Sequence, residues 1–260
     1  MPWDPDRYLR FAAERMRPGL ELLNRIPDTP ARLVVDLGCG TGDLAAALAD
    51  RWPEAAIVGV DSADEMIERA RHEYPALTWI VDDIERWEPE EPVDVVFSNA
   101  ALHWLDGHEI LFRRLRSFVA DGGALAVQMP DNWRAPTHRI PAEVLDTGTW
   151  PQAARSALMR DRLAEPADYA RWLQPGRIDL WRTTYYQQLT GPDPVWTWVT
   201  GSVLRPVLAA LEADERDRFA EACRQRYAIA YPPDRDGVTT LPFSRLFVVA
   251  SVDRTTRRNV

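Results

Sequence analysis

Carboxylates and glycines in the first third of the chain are spaced as a nucleoside site needs them. Val34-Val35-Asp36-Leu37-Gly38-Cys39-Gly40-Thr41-Gly42 reads as a strand turning tightly into a helix. Glycines there admit left-handed backbone and let the main chain come close to a ligand. Asp61 ends the next strand-like run, and a carboxylate in that position accepts hydrogen bonds from both hydroxyls of a ribose. Asp83 follows a third run, in Val81-Asp82-Asp83-Ile84. It can accept an adenine amino group while Ile84 packs on the ring; its plainer alternative is a turn-forming acid.

The turn also speaks to the kind of nucleotide. Its pattern is G-x-G-x-G, where a dinucleotide site has G-x-G-x-x-G, and position 43 is Asp. A pyrophosphate is poorly placed beside Asp36 and Asp43. A sulfonium carrying an ammonium group is well placed, which favours S-adenosylmethionine over NAD. Cys39, inside the turn, has no neighbouring base or cation to support a thiolate and is expected to pack rather than react.

The elements that must hold these residues follow from periodicity. Strand-like runs occur at 33–37, 56–60, 77–81, 93–98, 124–130, 178–189 and 243–252, and helically spaced apolar positions separate the first five. Leu44, Leu48 and Trp52 mark one helix; Met66, Ile67 and Ala70 the next; Ile110, Leu111, Leu115 and Phe118 a third. Such alternation implies an α/β fold, a doubly wound, seven-stranded, mostly parallel Rossmann-like sheet. Gly122-Gly123 is read as closing a helix and opening the fifth strand. After Pro130 prolines recur and the strand signal lapses, which places a helical insertion after the fifth strand. The expected organisation is an N-terminal helix covering the site at 1–30, a cofactor-binding core at 31–130, a helical cap over the substrate site at 131–177 and 190–240, and two final core strands at 178–189 and 241–252. Those two strands are expected to pair antiparallel at the far side, with a frayed tail at 253–260.

Composition bounds the function classes. The 260 residues carry a net charge of -9, and 46% are hydrophobic, including 11 Trp, so a core is available. The acidic balance argues against nucleic-acid binding or membrane attachment by bulk charge. No run approaches a membrane span, the start lacks the pattern of a signal peptide, and two distant cysteines suit a reducing cytoplasm. No lysine occurs, so the basic side chains are all arginine: permanently charged planar forks.

Longer motifs carry a resemblance. They are Trp3-x-Pro5-x-x-Tyr8-x-x-Phe11-x-x-Glu14-Arg15-x-Arg17-Pro18, Phe97-x-Asn99-Ala100-x-Leu102-x-Trp104-Leu105 and Ala126-Val127-Gln128-Met129-Pro130-Asp131-Asn132-Trp133. Trp181-Arg182-Thr183-Thr184-Tyr185-Tyr186, Trp198-Val199-Thr200 with Leu204-Arg205-Pro206, and Arg245-Leu246-Phe247-x-Val249-Ala250 complete them. Together they resemble the class I S-adenosylmethionine-dependent methyltransferases, and among these the branch acting on trans-aconitate. The resemblance spans nearly the whole chain and implies methyl transfer to one carboxylate of a small tricarboxylate, giving a monomethyl ester. With it, the expected cofactor contacts are Asp36, Gly38, Cys39, Gly40, Asp61, Ser62, Met66, Asp83, Ile84, Asn99 and Trp104. The expected substrate contacts are Tyr8, Arg15, Trp133, Arg182, Tyr185, Tyr186 and Arg205, with Arg182 ranked first and Arg205 second. A carboxylate is ionised at neutral pH, so no general base is needed and no catalytic residue is assigned. His72, His103, His108 and His138 show no metal-ligand spacing. A different small acceptor, and a nucleotide-binding oxidoreductase or non-catalytic binder, are the competing readings.

Overall fold

The computed structural model describes residues 12–158, 163–201 and 204–252, with side chains from Met16 onward. Tyr8 and the tail 253–260 lie outside the described residues, as does the side chain of Arg15. In chain order the elements are α1 (Ala12–Arg25), β1 (Leu33–Leu37), α2 (Asp43–Arg51), β2 (Ala56–Asp61), α3 (Asp64–Glu73), β3 (Thr78–Val81) and β4 (Val93–Asn99). A 3₁₀ turn (Leu102–Trp104) leads to α4 (His108–Ser117), β5 (Val119–Pro130), α5 (Pro136–Thr147), α6 (Gln152–Leu158) and α7 (Pro166–Trp172). The last elements are β6 (Arg177–Leu189), α8 (Pro194–Thr200), α9 (Arg205–Ala209), α10 (Ala213–Ala230) and β7 (Thr239–Ser251). No described helix is long and apolar enough to cross a membrane.

The expected strands all form, in one sheet ordered β3-β2-β1-β4-β5-β7-β6. Pairing is parallel from β3 to β5, and β7 joins β5 antiparallel with Gln128 opposite Phe247 and Pro130 opposite Arg245. The parallel strands are apolar along nearly their whole length because helices bury them. Gly122-Gly123 corrects the sequence reading. The pair lies within β5, which begins at Val119, three residues before Gly122. Gly122 (φ 81) donates to the Val252 carbonyl and Val252 donates to Gly123, beside a register shift on β4 between Val93 and Val95. The glycines therefore form an irregularity inside the ladder; they do not stop a helix.

By contact density the chain divides into two units. One comprises Ala12–Pro130, Leu163–Thr183 and Arg245–Val260; the other comprises Met1–Phe11, Asp131–Arg162 and Thr184–Ser244. The first is built on the core of Val35, Leu37, Leu111, Phe112, Leu125, Val127, Met129 and Leu246. The sequence pattern places residues 163–177 in the cap. Instead α7 packs into this core through Tyr169, Trp172 and Leu173. The Tyr169 hydroxyl meets His108 Nδ1 at 2.6 Å, and His108 Nε2 lies 3.0 Å from the Leu102 carbonyl. A carbonyl only accepts, so Nε2 carries the proton. The second unit has its own core of Ile140, Val144, Trp196, Val199, Phe219 and Leu241. Its long helix α10 starts on a capping box formed by Glu212 and Glu215.

Candidate active site

The glycine turn takes its shape from three backbone hydrogen bonds. The N–H groups of Gly38 and Cys39 both donate to the Val60 carbonyl, and Gly42 donates to Cys39. Gly38, Gly40 and Gly42 all have positive φ, at 74°, 55° and 87°. They are not equivalent. A Cβ on Gly38 would overlap the Ala101 Cβ and touch Ile84 Cδ1, whereas one on Gly40 meets nothing within 4 Å. Gly38 is thus where the turn meets the ends of β3 and β4, and Gly40 borders open space.

Asp61 closes the turn from the β2 side. One oxygen accepts the Gly40 N–H at 2.9 Å, and the other accepts the Ala63 N–H at 3.0 Å. Each oxygen keeps a lone pair for a ribose hydroxyl. Asp61→Ala is expected to weaken S-adenosylmethionine binding by roughly 1.5–3 kcal/mol, since charge-assisted bonds to ligand and turn go together. Calorimetric affinity equal to wild type would remove Asp61 from the site.

Asp36 is the buried acid of the site, 2% exposed, and its Oδ2 has no hydrogen-bond partner among the described residues. Burial first, and the Asp61 charge second, push its carboxyl up to about 8. The same causes, with the Asp36 charge acting ahead of Asp61, push the Cys39 thiol up, so the turn disfavours a thiolate. Asp43, counted with Asp36 in the sequence argument, is engaged otherwise. It accepts the Thr41 hydroxyl at 2.6 Å and the Tyr74 hydroxyl at 3.0 Å. Tyr74 is in turn raised to about 12 by burial and this bond.

At the end of β3, Asp83 Oδ1 accepts the Glu85 N–H at 2.9 Å. Asp83 therefore shapes its own turn, as its plainer reading held, and keeps a second oxygen. Ser62 is exposed at the end of β2, Met66 is half-buried in the first turn of α3, and Trp104 is 45% exposed and packs on His103. Asn99 ends β4 with Oδ1 buried and unpartnered among the described residues. After it Ala100 takes φ 55 and donates to the Gln128 carbonyl. Buried acceptors without donors are rare in folded proteins. Asp36 and Asn99 present two of them beside an open glycine turn, which fits the ammonium and sulfonium end of S-adenosylmethionine.

The expected substrate contacts are less gathered. Along β6, Trp181, Thr183 and Tyr185 form one face, and Arg182, Thr184 and Tyr186 the other. Tyr185 is buried and Tyr186 is 67% exposed, so the adjacent tyrosines cannot line one site together. Trp181 Nε1 and Thr183 Oγ1 both donate to Glu21 of α1, and Trp181 stacks on Phe247. Arg182 reaches 4.0 Å from Glu165 at an exposed position, and Arg205 is exposed at the start of α9. In the other unit Trp133 is half-buried against His138, its Nε1 buried without a partner among the described residues. Two polar residues stand outside the expected contacts. Gln128, 0% exposed, accepts from Arg245 Nη1 at 3.1 Å, and Arg245 is 7% exposed. Gln128 was legible as the one polar residue in the apolar stretch 124–130, and Arg245 follows Ser244 at the head of another.

A family model described as a methyltransferase domain matches residues 34–123, the stretch holding the turn, Asp61, Asp83 and Asn99. The fold is shared with the crystal structure of the YcgJ protein from Bacillus subtilis, at 12% identity and TM-score 0.59 over 92% of this chain and 99% of that one. The family model marks this stretch as a methyltransferase domain, and the solved structure shares the fold. Relatives extend along the whole chain. The trans-aconitate 2-methyltransferase of Rhodococcus jostii is 44% identical over 96% of this chain and 99% of the relative. That of Escherichia coli is 42% identical over 95% and 97%. The chain belongs to the trans-aconitate 2-methyltransferase family.

Proposed function

We propose that this enzyme transfers the methyl group of S-adenosylmethionine to one carboxylate of trans-aconitate, by in-line attack of the ionised carboxylate and without a general base. The end-to-end identity with relatives of that name carries the reading. When bound, the cofactor supplies an electrophilic methyl on a sulfonium. The chain supplies position. Asp61 orients the ribose, Asp83 and Ile84 receive the adenine, and Asp36 with Asn99 faces the cationic end. The acceptor is already an anion, so the reaction neutralises charge, and alignment with water excluded provides most of the acceleration. Two of the four histidines are poorly suited to act as the base. Both ring nitrogens of His108 are committed to Tyr169 and Leu102, and burial lowers His138 to about 4. Both cysteines are free and buried, in keeping with a cytoplasmic enzyme.

The test is incubation with methyl-labelled S-adenosylmethionine and a panel of di- and tricarboxylic acids, followed by mild base. Label is expected on trans-aconitate and to leave as methanol. At saturating cofactor, kcat is expected to stay flat from about pH 6 to 8. Base-stable label would rule out an ester, and a kcat governed by one group near neutrality would restore a general base.

A further inference from the structure

Across β4, β5 and β7 the sheet carries an oblique row of polar side chains in an apolar field. Asn99 is opposite Gln128, Gln128 is opposite Phe247, and Arg245 lies one same-face step further along β7, opposite Pro130. Asp36 belongs to the same face, opposite Phe97 one step back. The row runs from a buried acid through two amides to a buried guanidinium. Its middle is incompletely bonded: Gln128 Oε1 is taken by Arg245, while Gln128 Nε2 is buried with no acceptor among the described residues. Burying an amide donor without a partner is unfavourable, and a ligand acceptor would relieve it. Beside the guanidinium, the acceptor that satisfies it best is an anion, and the planar anion that matches an arginine fork is a carboxylate.

The sheet order says whose carboxylate this is. The proposed cofactor residues lie just after β3 (Asp83) and on β2 (Asp61), β1 (Asp36) and β4 (Asn99), so the cofactor's strands end at β4. β5 and β7 are the next two, each about 4.8 Å further on. An acceptor placed there would lie next to the cofactor's strands. We infer that Arg245, with the Gln128 amide beside it, anchors a carboxylate of the acceptor that does not react, and so selects for polycarboxylates. The inference rests on the proposed reaction. It displaces Arg182, which stands exposed beside Glu165.

Arg245→Gln and Gln128→Leu are the informative variants, with Arg245→Lys as a control that keeps the charge if the first folds poorly. Steady-state rates are measured for trans-aconitate and for a dicarboxylate lacking one carboxylate. Calorimetry then follows trans-aconitate binding to the protein saturated with S-adenosylhomocysteine, and S-adenosylhomocysteine binding alone. Arg245→Gln is expected to raise the KM and Kd for trans-aconitate about tenfold or more. The preference over the dicarboxylate should collapse, with S-adenosylhomocysteine affinity and melting temperature near wild type. Gln128→Leu should show a smaller loss of the same kind, and Arg245→Lys an intermediate one. If S-adenosylhomocysteine affinity falls instead, Arg245 serves the cofactor's own carboxylate and the inference fails. It also fails if only the melting temperature changes, or if trans-aconitate binds every variant equally. If wild type binds trans-aconitate through Arg245 but transfers no methyl to it, the anchor stands and the proposed reaction falls.

Discussion

Gly38→Ala is expected to yield a protein that unfolds several degrees lower and no longer retains S-adenosylmethionine. Gly38 sits at φ 74°, in the left-handed region that costs an L-residue about 1–2 kcal/mol. The added methyl would also overlap the Ala101 Cβ. Ala101 cannot easily retreat. Ala100 beside it is already at φ 55° and is tied through its N–H to Gln128 of β5. Relief therefore has to come from the backbone at the end of β4, and strain with overpacking together cost about 3 kcal/mol or more. That is a large fraction of the 5–15 kcal/mol by which a domain is usually stable. Gly40→Ala is the comparison. Its φ is 55°, but nothing lies within 4 Å of the added methyl, so only the backbone cost applies. Its methyl enters the open side of the turn, and cofactor affinity should fall about tenfold while the melting temperature stays closer to wild type. Thermal melts and calorimetry with S-adenosylhomocysteine separate the two. Equal melting temperatures for both variants would mean that β4 is not packed on the turn, and unchanged affinity of Gly40→Ala would move the cofactor elsewhere.

The distinction between these glycines marks what was legible in the residues alone. Period and composition reveal all seven strands: the first five runs are short and apolar, and the last two are longer and rich in β-branched and aromatic residues. The turn and Asp61 were legible because their roles are local. What escaped depends on partners distant in sequence. Gly122-Gly123 has the composition of a helix stop, and only pairing with Val252 makes it part of a strand. α7 resembles its proline-rich neighbours, yet Tyr169 finds His108 and joins the sheet core. Arg182 and Arg245 are both arginines in strand-like runs. One lies on the exposed face of β6, while the other is buried against Gln128, 117 residues away. Strand alternation, which follows from the residues, already separates Tyr185 from Tyr186; burial then shows which of them faces inward.

The acid at the centre of the turn should make cofactor binding depend on pH. Asp36 is 2% exposed, and burial, then the Asp61 charge, push its carboxyl up to about 8. In the free protein near neutrality it therefore carries a proton, which a bound cation displaces. Affinity for S-adenosylmethionine is expected to tighten up to about tenfold per pH unit between about pH 6 and 8, then level off. The sign for stability is opposite. Between the ordinary carboxylate range near 4 and about 8, the folded chain holds a proton that the unfolded chain has lost. The free protein's stability from this group is therefore fully present below about pH 4 and is lost as pH rises toward 8. Asp36→Asn should abolish both slopes: the free variant is the more stable protein at pH 8, by on the order of a few kcal/mol, and the weaker binder. Calorimetric titration in phosphate and in Tris, which differ in ionisation enthalpy, reports the proton directly. Wild type is expected to release close to one proton per cofactor at about pH 6.5 and almost none at about pH 9. Identical enthalpies in the two buffers at the lower pH would show Asp36 ionised throughout. With the flat kcat expected at saturating cofactor, the linkage should appear only in kcat/KM for S-adenosylmethionine, because the proposal assigns the titrating group to the cofactor and not to the nucleophile.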